Sequence, residues 1–414
     1  MGSKRKRKPV KLRSDSSTLL GIFVNQKHIE RLLNQVEYTI PYLKGLMDAN
    51  KVTQHTIYFF SIKDMHLSEK KIRGTYYNEK EKTWKKKSFP LPNVVYDRYI
   101  TSQTDRRKVL SIRQQLKKAE VKFFNPTAIL YKWKEQKLLE KNPLVKPYLP
   151  RTTFMAFNKK VKLKKTLIQM FAHSPSLYMK GDHSSRGAQV VYMNKISKHA
   201  YVYSYNNTKL VAGKTKTIDD MIKALTPLLQ NKNVVIQHAI DVIKIKKQRI
   251  DFRAELIRGY DGSVHIMGIS ARIGRVRSPI TIKSTTMPFG AFMSKYTSLN
   301  EEQIQQLRQK IEKTLIQIHK TLEADLGRIG EVGIDFALDK KYKPWHIESN
   351  IRTLRVSFLK TFESHRTQQY FVHLLQYVED LHRGSPVVQR KNRRQIIKNK
   401  RKKNNAHHVS DNVR

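Results

Sequence analysis

The chain has 414 residues, with 82 Lys or Arg against 33 Asp or Glu, a net charge of +49 and no Cys. The missing thiols exclude a disulfide scaffold, a Cys nucleophile, an Fe–S cluster and Cys-ligated zinc. No apolar stretch nears the ~18 residues that a membrane-crossing helix needs, and the apolar run at 19–24 falls short of the roughly 7–15 residues of a signal-peptide core, so a cytoplasmic protein without a transmembrane segment is expected.

Part of the charge is terminal. Residues 1–14 hold seven Lys or Arg and no acid, and residues 386–414 hold ten with Asp411 alone against them. Such segments, taken as basic tails over 1–16 and 383–414, are expected to attract polyanions without sequence preference. They fit docking onto acidic proteins or other polyanions, or simply a solvated tail. No zinc-finger spacing, basic-zipper heptad or aromatic RNA-binding strand accompanies them.

The hydrophobic fraction of 39% supports a folded body between the tails. In chain order, residues 19–24 read as a strand, 27–48 as a helix and 56–62 as a second strand. Residues 74–89 read as a hairpin, and 94–96 as a short buried strand. These make a small α/β unit over 17–125. A helical stretch then starts near Asn125 and is broken by Pro143, Pro147 and Pro150. Strands follow at 152–157 and 177–180 around a helix at 159–172, then strands at 189–194 and 200–204. A helix at 218–229 leads to the buried-type strand 234–238. Residues 251–258 and 264–272 form a hairpin around Tyr260-Asp261-Gly262. The best helical period lies in 300–326, where Ile304, Leu307, Ile311, Leu315, Ile318 and Leu322 recur at three and four. Ser298 or Asn300 can cap it and Gly327 ends it. Strands at 333–338 and 343–349 and a helix at 367–381 complete an α+β body.

Three clusters carry chemistry. In GEVGIDFALDKKYKPWHIESN, strand alternation places Glu348 and Asn350 on one face, with Trp345 and Ile347 on the other. A hairpin centred near Lys341 sets Asp335 opposite Ile347 or Glu348. Two carboxylates and a carboxamide oxygen suit Mg²⁺; the plain alternative is an ordinary charged hairpin. Lys180 ends a strand and precedes a loop with Gly181, Ser184, Ser185 and Gly187. Backbone N–H groups there can cradle phosphate, although such a loop is often only a turn and no Walker A pattern is present. Arg253 and Arg272 lie on partner strands, suited to bidentate phosphate or carboxylate contact or to a cross-strand ion pair with Glu255.

Taken in order, the strand-end Lys with its loop, VVIQHAI, DFRAEL, SARIG and GIDF…HIESN resemble the ATP-grasp superfamily. Within it the chain is similar to the YheC/YheD group of endospore coat-associated proteins, through LPNVVYDR, FFNPTAILYKW, LPRT and IGEVGID. The resemblance spans roughly 17–382. It implies an ATP-grasp fold of two α+β lobes clasping nucleotide, about 126–238 and 239–382, behind a small pre-ATP-grasp-like domain at 17–125. It further implies ATP and Mg²⁺ as cofactors. Lys180, Ser184, Ser185 and Gly187 would meet the phosphates, while Gln237, His238 and Ile240 would line the adenine hinge. Arg253 and Arg272 would address phosphate or acyl-phosphate, and Asp335, Glu348 and Asn350 would hold the metal. The implied reaction is ATP-dependent ligation of a carboxylate, its identity open, to an amine or other nucleophile. Spore-coat association in a sporulating cell is implied as well. The alternative is a non-enzymatic coat scaffold that binds acidic partners. ESNIRTLR lacks the Pro that related sequences carry after the Asn, and TIKSTTMPFGAF has one Gly where a Gly-Gly segment is usual.

Overall fold

The computed structural model describes residues 18–35, 42–102, 104–184, 187–207, 209–246, 248–276, 278–281 and 284–384. Most of the expected tails, and Ser185 of the loop, lie outside the described residues. The chain divides into two units: one has the described residues up to Phe124 together with those from Leu375, and the other is Asn125–Leu374.

In the first unit the strands are β1 (Leu19–Phe23), β2 (Thr56–Phe60), β3 (Met65–His66), β4 (Lys71–Asn78), β5 (Thr83–Pro90), β6 (Val94–Asp97) and β7 (Lys122–Phe123). They form one mixed sheet ordered β3-β4-β2-β1-β6-β7, with β5 hairpinned onto β4. The expected helix at 27–48 is instead two helices, α1 (Gln26–Leu33) and α2 (Leu43–Thr53). The first ends at Asn34, and Gln35 takes a positive φ of 55° that no helix interior tolerates. A third helix, α3 (Arg106–Lys118), buries Val109, Ile112 and Leu116 at the three-and-four spacing of an amphipathic face.

The second unit opens with α4 (Lys132–Glu140) and carries two six-stranded sheets. The first comprises β8 (Thr152–Ala156), β9 (Ser176–Gly181), β10 (Val190–Ser197), β11 (Ala200–Asn206), β12 (Leu210–Thr215) and β13 (Asn233–His238), in the order β12-β11-β10-β9-β13-β8. Two helices, α5 (Lys160–His173) and α6 (Ile218–Leu229), cover one face. Leu177, Met179, Val191, Met193, Val234 and Ile236 point to them and make the core. Thr217 caps α6 by accepting the N–H of Asp220, which fixes its start where the sequence placed it.

The second sheet comprises β14 (Lys244–Ile245), β15 (Gln248–Arg258), β16 (Val264–Val276), β17 (Thr285–Pro288), β18 (Glu331–Leu338) and β19 (Pro344–Asn350), with β17-β16-β15-β18-β19 as its main path. Two helices, α7 (Phe289–Tyr296) and α8 (Glu301–Leu326), pack on its apolar face. Phe252, Ala254, Leu256, Ile334 and Phe336 meet Ile311, Leu315, Ile318 and Leu322 there. Asn300 and Gln303 exchange side-chain and backbone bonds in a capping box that starts α8. Two further helices, α9 (Val356–Thr361) and α10 (Ser364–Arg383), end the described fold.

Candidate functional site

Strand pairing alone sorts the residues of the second sheet. Arg253 lies opposite Ser270 on one side and Asp335 on the other, Asp251 opposite Arg272, and Asp335 opposite Glu348. Directly opposed residues share a face. Asp251, Arg253, Ser270, Arg272, Asp335 and Glu348 therefore occupy one side, and the apolar residues between them build the core on the other. Asn350, opposite Gly333, joins the polar side.

The polar side is tied by ion pairs. Arg253 holds Asp335 through two parallel bonds, Nε to Oδ1 and Nη2 to Oδ2. Nη2 of Arg272 stands 3.1 Å from Asp335 Oδ1, and its Nε donates to Asp251 at 2.5 Å. Burial alone would raise the Asp335 carboxyl, but Arg253 and then Arg272 override it and hold it below the usual carboxylate range. Arg253 also lies 3.7 Å from Glu255, two residues on along β15, so that ion pair runs within one strand, and the cross-strand partner of Arg253 is Asp335. Glu255 is fully buried and accepts from Thr353 at 2.8 Å. Gly333 must lack a side chain here: a Cβ would meet Thr353 Oγ1 at 2.7 Å and Arg253 Nη1 at 2.9 Å.

The first sheet offers a different set on its helix-free face. Lys180 and Tyr178 are two apart on β9, and Val235 and Gln237 of β13 lie opposite them. Lys180 is half-buried, and loss of water around its ammonium pushes its pKa down to about 8, with Glu348 opposing and Lys132 adding to the shift. The loop after β9 turns at Gly187 with φ 69°, a conformation favouring glycine. Ser184 turns its hydroxyl back to the Gly181 carbonyl at 2.7 Å. Gln237 donates to Thr152 at 3.1 Å, and the buried Nε2 of His238 has no hydrogen-bond partner. Ile240 is half-buried just beyond the strand.

The sequence did not single out Lys132, the first residue of α4. Its Nζ donates to the Ser184 carbonyl at 2.5 Å and lies 3.6 Å from Glu348 Oε1. The N–H of Trp133 bonds Asp182 of the loop at 2.8 Å. The available signal was a lysine directly after an aromatic residue at a helix start, a pattern too common to stand out. Arg249 of β15 also reaches the first sheet, 4.5 Å above the Tyr192 ring, and Tyr178 donates to the Pro279 carbonyl at 2.9 Å.

Asp335, Glu348 and Asn350 present side-chain oxygens on one face of the second sheet. Among the described residues Glu348 makes one ion pair, the 3.6 Å contact with Lys132, and Asn350 on the same face adds a carboxamide oxygen. Asp335 receives three donors and keeps acceptor capacity for a fourth. Hard oxygen ligands of this kind, few in number and beside cations suited to phosphate, fit the ion. Among the described residues no cluster of three or more His, Asp or Glu is arranged to hold a metal by itself.

The family described as YheC/D-like ATP-grasp matches residues 120–381. The chain belongs to that family. Endospore coat-associated protein YheD of Bacillus subtilis (strain 168) is 26% identical over 327 residues, 76% of this chain and 69% of its own. YheC of the same strain is 19% identical over 301 residues, 72% of this chain and 81% of its own. Among solved structures, D-alanyl-alanine synthetase A from Vibrio cholerae O1 biovar eltor str. N16961 superposes with a TM-score of 0.51 at 11% identity, covering 90% of this chain and all of its own. The VanG D-Ala:D-Ser ligase from Enterococcus faecalis gives 0.51 at 11%, covering 89% of this chain and 100% of its own. These likenesses show the ATP-grasp fold.

In this family member the segment after Asn350 runs without the Pro expected of its relatives. Thr353 instead bonds Glu255, and Arg355, at a positive φ of 56°, is buried against Glu331 and Tyr370. No helix among the described residues is long and apolar enough to cross a membrane.

Proposed function

We propose that this chain binds Mg-ATP and uses it to activate a carboxylate as an acyl-phosphate for attack by an amine. The observation that carries this reading is the meeting of Lys180 and Lys132 with Glu348 beside the Arg253–Asp335–Arg272 cluster. Two lysines from one side and two arginines from the other suit a polyphosphate, whose charge they offset. Gln237, His238 and Ile240 line the nucleobase side, and Gly181, Ser184 and Gly187 the phosphate loop. Glu348 and Asn350, with the remaining acceptor capacity of Asp335, would hold magnesium. The ion would neutralise charge on the phosphate oxygens.

In the reaction, an acceptor carboxylate oxygen attacks the γ-phosphorus, the bond to ADP breaks, and an acyl-phosphate results. An amine then attacks the acyl carbon, expels phosphate and gives its proton to solvent. Arg253 and Arg272 hold the transferring phosphoryl group, so catalysis rests on placement and electrostatics. By the names of its relatives, the chain acts at the endospore coat.

A second reading, favoured by the net charge of +16 in residues 1–14 and 386–414, is a coat scaffold that binds acidic partners. Calorimetric titration of Mg-ATP at about 0.3 M salt, where non-specific attraction is screened, tests the first reading. One saturable site, lost in Lys180→Ala and weakened at least tenfold in Glu348→Gln, is expected. No saturable site in the wild type gives the scaffold reading the lead.

A further inference from the structure

β19 does not alternate as a regular strand should. His346 and Ser349 are buried, whereas Ile347 and Glu348 are half-exposed in succession. Phe336 of β18 faces His346, yet Asp335 faces Glu348, so Ile347 is an extra residue, a β-bulge. Continuing the Phe336–His346 register would bring Ile347 opposite Asp335. It would also turn Glu348 opposite Ile334, onto the face that packs in the core. The bulge therefore re-aims Glu348 to the side of Asp335 and Arg253.

Two buried side chains bracket this bulge. Nε2 of His346 lies 3.1 Å from Ser349 Oγ, bridging the residues on either side of Ile347 and Glu348. The same nitrogen lies 3.0 Å from Oε1 of Glu135 on α4. His346 is 5% exposed and Glu135 3%; Oε1 of Glu135 makes no hydrogen bond, so the 3.0 Å approach of the imidazole is its ion-pair contact, while His346 keeps Ser349 as its hydrogen-bond partner. Glu135 stands three residues, about one helical turn, after Lys132, which contacts Glu348 itself. One short helix thus touches β19 on both sides of the extra residue.

We propose that Glu135 and His346 are positioning residues. Their buried contact holds the Ile347 bulge, and the bulge aims Glu348 into the site. The role assigned to Glu348 rests on the Mg-ATP reading above; neither Glu135 nor His346 contacts the nucleotide in that reading.

The test uses the full chain with His346→Leu, which keeps bulk, and His346→Gln, whose amide nitrogen can replace Nε2. Affinity for ATP is measured in EDTA and at saturating Mg²⁺, and hydrogen exchange of amides 345–350 is followed without nucleotide. In His346→Leu, affinity in EDTA stays within twofold of wild type, the gain given by Mg²⁺ falls at least tenfold, and exchange at 347–350 quickens at least tenfold. His346→Gln restores most of both. Glu135→Gln, the second variant should His346→Leu fail to fold, loses the Mg²⁺ gain in the same way. An unchanged Mg²⁺ gain in both the Leu and Glu135 variants overturns the proposal, as does equal damage in the Leu and Gln variants. A wild type that binds no Mg-ATP overturns the nucleotide reading instead, and the exchange comparison still decides whether His346 holds the bulge.

Discussion

The two sheets of the Asn125–Leu374 unit manage charge in opposite ways. Residues 151–238 contain fifteen Lys or Arg and three acids, while residues 239–374 contain twenty-three and fourteen. On the second sheet four charges of the site face, Arg253, Asp335, Arg272 and Asp251, are already satisfied by one another, and Glu348 stands outside that network. On the first, Lys180 is desolvated and the opposing charge that acts on it most strongly, Glu348, comes from the other sheet. Pre-paired ions hold their geometry without a ligand. An underpaired lysine is a standing cost that an anion relieves. One sheet therefore supplies a rigid frame and the other an unmet demand for negative charge.

The paired frame of the second sheet depends most on Asp335. Asp335→Asn leaves two buried guanidinium groups without their shared carboxylate, and should cost about 3–5 kcal/mol in denaturant unfolding. A loss below about 1 kcal/mol would mean that Asp251 and Glu255 suffice to hold the two arginines. Gly333→Ala comes next. Its new methyl must displace Thr353 or Arg253, at about 1–3 kcal/mol, and a structure of the variant should show Arg253 moved from Asp335.

Lys180 should behave in the opposite sense. Its pKa in the fold, about 8, lies below the ordinary 10.5. The native state therefore releases this proton before the unfolded chain does. Stability then rises as pH climbs through that window, and the full cost is present below it. Lys180→Met should accordingly stabilise the protein at pH 7 by on the order of 1 kcal/mol, and the gain should vanish by about pH 10.5. The wild type's affinity for ATP should weaken above pH 8 while the variant's weak binding stays flat. A variant less stable than wild type at pH 7 would show that Lys180 is structurally paired.

Much of this site was legible in the sequence because its motifs lie inside strands with strong period-two patterns. DFRAEL alternates charged and apolar residues, so Arg253 had to face away from Phe252 and Ala254. The hairpin closing at 339–343 brought Asp335 within one residue of Glu348. The misreadings have physical causes. Simple alternation separated Trp345 from Glu348, but the extra residue at Ile347 sets Trp345, opposite Ala337, on the Asp335 side. The helix expected across 27–48 ignored the break after Leu33, and α3, β12 and α7 were passed over although Val109, Ile112 and Leu116 carried a helical spacing.

The sequence by itself determined the family, the two-sheet body of the ATP-grasp fold, the start and end of α6 and α8, and which residue types crowd the candidate site. These follow from local rules: cap chemistry, turn residues and the period of apolar side chains. Only the tertiary structure decided which carboxylates remain open and which are spoken for. It brought Lys132 to Glu348, locked Asp335 between two arginines, and put a bulge where alternation predicted none. Each of these depends on contacts between residues far apart in the chain, Arg253 with Asp335 and Glu135 with His346, and no local pattern encodes the register in which such segments meet.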